Sequence, residues 1–155
     1  MTKKLIIGNE EFLYPVEGDS PISDWGNSAT DWATAVTDVL GTIYGPNDIS
    51  LSTYPLANNI ITPTNIVGLK FSTTTVLSAK VEYTIKRVLS GSTITEYGVI
   101  LGTFDGIVFS ITQESVGDAG VSLDVTNAGQ FQYTSSNMPT QTSMIIKFKA
   151  TTIAQ

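Results

Sequence analysis

The chain contains no cysteine and no histidine, and only 8 of its 155 residues are lysine or arginine. Without cysteine there is no disulfide framework, thiolate zinc site, iron-sulfur cluster or thiol nucleophile. Without histidine the chain lacks the side chain that titrates near neutrality, and with it the commonest general base and transition-metal ligand. Most hydrolytic mechanisms thereby lose a member. Against the basic residues stand 14 acidic ones, giving a formal net charge of -6 and a pI near 4.4. That balance argues against a nucleic-acid partner, which needs clustered Lys and Arg. No apolar run approaches the roughly 20 residues that span a bilayer, so a membrane partner is not expected. The opening Met1-Thr2-Lys3-Lys4-Leu5-Ile6-Ile7 is cut short by Gly8-Asn9-Glu10-Glu11 before a signal-peptide core of about 7 to 15 apolar residues forms.

What charge there is lies unevenly. Between Leu5 and Leu69 there is no basic residue, while Glu10, Glu11, Glu17, Asp19, Asp24, Asp31, Asp38 and Asp48 are all acidic. From Lys70 onward six basic residues meet six acidic ones. This asymmetry predicts two segments with different surroundings, an attachment arm over residues 1–64 and a separate domain over 65–155. At this length one compact domain with an appendage is the economical arrangement.

The first segment carries one helix signal. Ser28-Ala29-Thr30-Asp31 is a variant capping box, and Ala29, Trp32, Ala33, Val36, Val39, Leu40 and Ile43 recur at spacings of three and four. Gly41 is the expected stop. A helix of about four turns does not persist alone in water, so its stripe must pack on something. Around it lie Phe12, Tyr14-Pro15, Trp25-Gly26, Tyr44-Gly45-Pro46 and Tyr54-Pro55, which read as extended, ring-bearing arms and turns. Large rings in such arms find burial in a neighbour. Phe12, Tyr14, Trp25, Trp32, Val36, Val39, Leu40, Ile43 and Tyr44 are therefore the expected docking or oligomer interface. The Asn- and Pro-rich stretch Asn58–Asn65 is the expected joint.

From Ile66 the period becomes two. Ala79, Val81, Tyr83 and Ile85 alternate with Lys80, Glu82, Thr84 and Lys86, which describes a strand with one wet face. Further strands are expected to turn inward Tyr97, Val99 and Leu101; Ile107, Phe109 and Ile111; Val121, Leu123 and Val125; Phe131 and Tyr133; and Met144, Ile146, Phe148 and Ala150. Asp105-Gly106 reads as a type I' hairpin turn. With a strand over Ile66–Phe71, about seven short strands give a mainly β chain, an antiparallel β-sandwich preceded by an arm with one short helix.

The sequence holds few residues in a pattern that supports chemistry. Gly98-Val99-Ile100-Leu101-Gly102 lacks a third glycine and a following helix, so no cofactor is expected. A two-carboxylate glycosidase needs neither His nor Cys, with Glu96, Asp105, Glu114, Asp118 and Asp124 as its candidates. Each falls in a turn or on an expected wet face, and no catalytic residue is assigned. Asp118 and Asp124 also suit a hard cation, but Asp in a Gly-rich loop serves its own turn geometry, so no metal ligand is named. Lys147 and Lys149 read as protection of an edge or wet face.

Trp25-Gly26, Trp32-Ala33, Val36-Thr37 and Gly45-Pro46-Asn47-Asp48-Ile49 resemble the N-terminal attachment region of tailed-bacteriophage fibre and decoration proteins. Gly117–Val121, Val125–Asn137 and Ile146–Ala150 are similar to small β domains on such virion proteins. The resemblance touches most of the chain from about residue 11 onward. It implies a non-enzymatic virion structural protein, a homotrimeric capsid decoration protein or short head fibre docked through its N-terminal part. Its implied partners are its own copies and another virion protein, such as the major capsid protein or a tail or collar protein. The absence of a shaft repeat and a large distal domain separates it from long fibres. The competing expectation is a tail fibre or adhesin module binding surface carbohydrate through exposed aromatics and loop carboxylates.

Overall fold

The computed structural model describes residues 30–38, 45 and 47–155, and the backbone alone for 3–7 and 10–14. The chain forms two compact units, Met1–Pro46 and Asn47–Gln155. In the first, β1 (Lys3–Ile7) pairs antiparallel with β2 (Glu10–Tyr14), with Leu5 opposite Phe12 and Lys3 opposite Tyr14. This hairpin stands where the sequence predicts an extended arm. The same unit contains helix α1, residues 30–38.

The second unit is an antiparallel sandwich of eight strands: β3 (Ile49–Pro55), β4 (Thr64–Lys70), β5 (Val76–Leu89), β6 (Ser92–Phe104), β7 (Phe109–Val116), β8 (Val121–Val125), β9 (Gln130–Ser135) and β10 (Gln141–Ala154). One sheet runs β3-β10-β5-β6-β7 and the other β4-β9-β8. The seven anticipated strands are present, and β3 is added to them. The boundary expected at 64/65 therefore falls at 46/47. Tyr54-Pro55 ends a strand paired with β10, Tyr54 lying opposite Ile146.

Nor is Asn58–Asn65 a free joint. Ser135 stitches it to β9: its Oγ donates to the Ala57 carbonyl at 2.7 Å and accepts from the Ile60 amide at 3.0 Å, and its own amide donates to the Ile60 carbonyl at 2.8 Å. The backbone groups at the start of this connection thus find their hydrogen-bond partners on the neighbouring strand.

The core lies between the sheets. Val81, Tyr83, Ile85, Ile100, Ile146 and Phe148 face Ile66, Leu69, Val121, Leu123, Phe131 and Tyr133, all buried. Phe71 joins the layers, stacking on Phe109 at 5.9 Å and meeting Phe131 edge-on at 5.8 Å. The pairing of β4 with β9 slips between Asn65 and Lys70. The side-chain amide of Gln130 donates into that slip, to the carbonyls of Ile66 and Leu69 at 3.0 and 3.2 Å.

Strand β6 has the opposite parity to that expected. Tyr97 and Leu101 are exposed, and Glu96, Gly98, Ile100 and Gly102 point inward. Glycine is what makes this possible. Gly98 lies directly opposite Tyr83, and a Cβ there would stand 2.5 Å from the ring; at Gly102 it would stand 2.5 Å from Phe109. Two inward rings thus fill the volume that two side chains vacate.

Ile107 also departs from expectation, being 83% exposed. It sits in a four-residue loop, Asp105 to Val108, between the paired Phe104 and Phe109. A type I' turn requires positive φ at both central residues, whereas here Gly106 has it and Asp105 does not. Instead the Asp105 carboxylate accepts the amides of Ile107 and Val108, each at 2.8 Å.

Candidate functional site

Three places in the described residues concentrate polar or unpartnered side chains: a buried network, the outer face of the five-stranded sheet, and helix α1. The network begins where β5 and β6 turn Arg87 and Glu96 into the sandwich, 0% and 3% exposed. Their common contact is one residue of the β7–β8 loop. The Ala119 amide donates to Glu96 Oε2 at 2.9 Å, and the Ala119 carbonyl accepts from Arg87 Nη1 at 2.8 Å. Glu96 Oε1 accepts the Tyr83 hydroxyl at 2.7 Å, and that hydroxyl oxygen accepts from Gln113 at 2.7 Å. Arg87 also reaches Ser136 Oγ at 3.2 Å, the Ser136 carbonyl at 2.7 Å and Asn58 Oδ1.

A charge taken out of water must be paired or hydrogen-bonded to be tolerated, and both of these are. Burial, then the Glu96 carboxylate, pushes the Tyr83 phenol well above its ordinary value of 10.0. Burial lowers the Arg87 guanidinium, which remains a cation. Each Glu96 oxygen accepts a hydrogen bond, so the group acts as a clamp. It ties the 58 region and the loops around 119 and 136 to the sheet. The expectation that Glu96 lies on a wet face is therefore corrected. A signal for its burial was present: Glu96 shares the parity of Gly98 and Gly102, and glycines inside a strand mark close approach.

The other candidate carboxylates do not converge. Asp105 caps its own loop, and those two backbone amides lower its pKa. Asp118 accepts the Gly120 amide at 2.7 Å, and Asp124 accepts the Val125 amide at 2.7 Å. Glu114 is exposed on β7. Among the described residues no three Asp or Glu side chains form a group able to hold a metal ion.

Hydrogen-bonding register places Lys80, Glu82, Thr84 and Lys86 of β5 on the outer face of the five-stranded sheet, beside Lys147, Lys149, Thr151 and Ile153 of β10. Thr95, Tyr97, Leu101 and Thr103 of β6 continue it. Glu82 bridges Lys80 at 3.0 Å and Lys149 at 2.7 Å. Their hydrogen bonds, Lys149 first, hold Glu82 below its ordinary pKa of 4.5. A shallow depression of about 340 Å³ opens at one end of this face, bordered by Lys80, Leu101, Thr103, Thr151 and Ile153. Lys147 and Lys149 thus belong to a wet face, and β10 is an interior strand of its sheet.

Of the expected docking residues, Trp32 is 45% exposed on α1 and Val36 is half-buried beside Ala35. Trp32, Ala35 and Val36 follow the spacing of one helical face. Thr34 and Thr37 bond back to the carbonyls of Thr30 and Ala33 at 2.9 and 2.8 Å. Phe12 and Tyr14 lie on β2, described through its backbone. Trp25, Val39, Leu40, Ile43 and Tyr44 lie outside the described residues, as do Ser28, Ala29 and Gly41.

No protein-family model matches the chain and no curated protein matches it. Among solved structures, the tailspike protein of Acinetobacter phage vB_ApiP_P1 is similar at a TM-score of 0.40 and 11% identity. The similarity covers 69% of this chain and 21% of the tailspike chain, so this chain matches about a fifth of that protein's length.

Proposed function

We propose that the chain is a non-enzymatic structural protein of a bacteriophage particle, anchored through residues 1–46 and presenting the 47–155 sandwich outward. In this reading it is a homotrimer, a capsid decoration protein or short head fibre seated on the major capsid protein or on a tail or collar protein. The observation that carries it is helix α1. It is described over residues 30–38, and a helix of a few turns depends on packing of its apolar face for stability. Its ring Trp32 is 45% exposed in the single chain. Burying the Trp32, Ala35 and Val36 face among three copies would supply the packing that this helix needs.

The sandwich supports the same reading. Its core is closed, and Asp48, Glu82, Glu96, Asp105, Asp118 and Asp124 all have partners within the fold. Among the described residues no helix is long and apolar enough to cross a membrane.

Light scattering at micromolar concentration tests the assembly. The expected mass is three times 16.6 kDa, falling to one chain in Val36→Asp. A monomer whose mass Val36→Asp leaves unchanged would refute it. Trp32→Ala is expected to lower occupancy on particles while the sandwich still unfolds at its wild-type temperature. A sandwich that melts early in that variant would place the helix in the core instead.

A further inference from the structure

Four lysines against two glutamates populate the outer face of the five-stranded sheet, on a molecule whose net charge is -6. Lys80 and Lys149 share the Glu82 carboxylate that lies between them. Lys86 and Lys147 have no such partner among the described residues. Lys147 lies opposite Thr84 and Lys86 opposite Ile145, which makes the two lysines diagonal neighbours on adjacent strands. Their Cβ atoms are then about 7–8 Å apart at most, close enough for like charges to repel. One lysine pair is compensated by a carboxylate and the next is left open.

The surroundings of the open pair are specific. Reading across the sheet, one row is Thr53, Lys147, Thr84, Tyr97 and Val116, and the row beside it is Pro55, Ile145, Lys86 and Thr95. Tyr97 is therefore diagonal to Lys86, and it is 51% exposed. Two free ammonium groups, the Thr84 and Thr95 side chains, and an exposed ring occupy one patch about two strand spacings wide, roughly 10 Å.

We propose that this patch binds an anionic polysaccharide, with a sugar carboxylate between Lys86 and Lys147, hydroxyls on Thr84 and Thr95, and a pyranose face on Tyr97. Charge complementarity selects an acidic occupant. A protein partner fits poorly, because protein interfaces are depleted in lysine at their centres and this patch has lysine at its centre. Nucleic acid fits poorly as well, because Glu82 and Glu114 share a row beside the patch and would oppose a run of phosphates. A neutral glycan leaves the lysine pair unexplained. The expected loop-carboxylate version of sugar binding is replaced by a sheet face, since Asp105 and Asp118 are committed to their own turns.

The site does not depend on the anchoring proposed above. A trimer that fails to bind glycan, or a monomer that binds it, separates the two proposals.

The test is calorimetric titration of the full chain with polygalacturonate and hyaluronate, with dextran as the neutral polymer and poly-L-glutamate as the acidic polypeptide. At least one anionic polysaccharide is expected to bind, more weakly as salt rises. The double variant Lys86→Gln, Lys147→Gln should weaken it about tenfold or more, Tyr97→Thr should weaken it too, and Lys86→Arg should retain it. All these side chains face solvent, so unchanged melting temperatures serve as the folding control. Absence of binding to both anionic polysaccharides overturns the proposal. So does equal binding of dextran, or equal binding of poly-L-glutamate, which would reassign the face to an acidic protein. Binding that the double variant leaves unchanged also overturns it.

Discussion

Arg87→Met is the most informative single change, because it removes one charge and leaves the shape nearly intact. Arg87 is 0% exposed and donates four hydrogen bonds, to the Ala119 carbonyl, Ser136 Oγ, the Ser136 carbonyl and Asn58 Oδ1. Bonds from a charged donor contribute about 1.5–3 kcal/mol each. Their simple sum overstates the loss, since desolvating the guanidinium costs several kcal/mol on folding. Methionine recovers that desolvation but leaves buried acceptors unpaired and deprives Glu96 of the cation across the Ala119 peptide. The net loss is expected near 3–5 kcal/mol, the usual cost of breaking a buried charge network. A domain of this size is stabilised by about 5–15 kcal/mol in all. The melting temperature should thus fall by roughly 12–20 °C, at about 4 °C per kcal/mol for a unit of this size. Scanning calorimetry gives the global number, and hydrogen exchange should show the loops at 117–120 and 136–138 opening first. Arg87→Lys should recover little, because one ammonium cannot span the four acceptors that two guanidinium nitrogens reach. An Arg87→Met protein melting within about 3 °C of wild type would refute the clamp.

Gly98→Ala should destabilise by about 3 kcal/mol in urea titrations, since the new methyl lies 2.5 Å from the Tyr83 ring. Combining it with Tyr83→Val should cost less than the two changes added; additive losses would mean that the two residues do not share this volume. Glu82, held below 4.5 by Lys149 and Lys80, contributes stability that is present above that value and lost as pH falls through its folded pKa. Glu82→Gln should therefore trail wild type by less than about 1 kcal/mol at neutral pH and match it near pH 2. A gap that persists in acid would show that packing, not charge, holds the residue. Tyr83 has the opposite sign: its raised phenol pKa gives stability present below pH 10.0 and lost as pH rises from there. Denaturation midpoints should fall as pH rises above about 10, and Tyr83→Phe should flatten that fall while being less stable at lower pH.

The two sheets were legible where hydrophobicity differed between faces. In β5, Ala79 through Ile85 alternate with charged or hydroxyl residues, and in β10 Ile146, Phe148 and Ala150 alternate with Lys147 and Lys149, so period two and parity can both be read. In β6 they could not. Threonines flank it, and Tyr97, Val99 and Leu101 compete with Glu96 and Ile100 for the core. Hydrophobicity alone favours the first set. Strand β3 carries no such signal, because Ile49–Pro55 mixes serine, threonine and proline, and what makes it a strand is its pairing with β10.

Composition and local pattern alone settled that this chain builds antiparallel strands and does so without cysteine or histidine chemistry. They also placed most of the turns, because glycine, asparagine and aspartate act on the residues next to them. Only the tertiary structure could decide which face of β6 is inside, that Arg87 and Glu96 share one peptide, and that Lys86 stands beside Lys147. Those facts depend on what lies across the sheet or between the layers, at separations in sequence that no local period encodes. A glycine is merely small until a tyrosine ring is known to need the space above it.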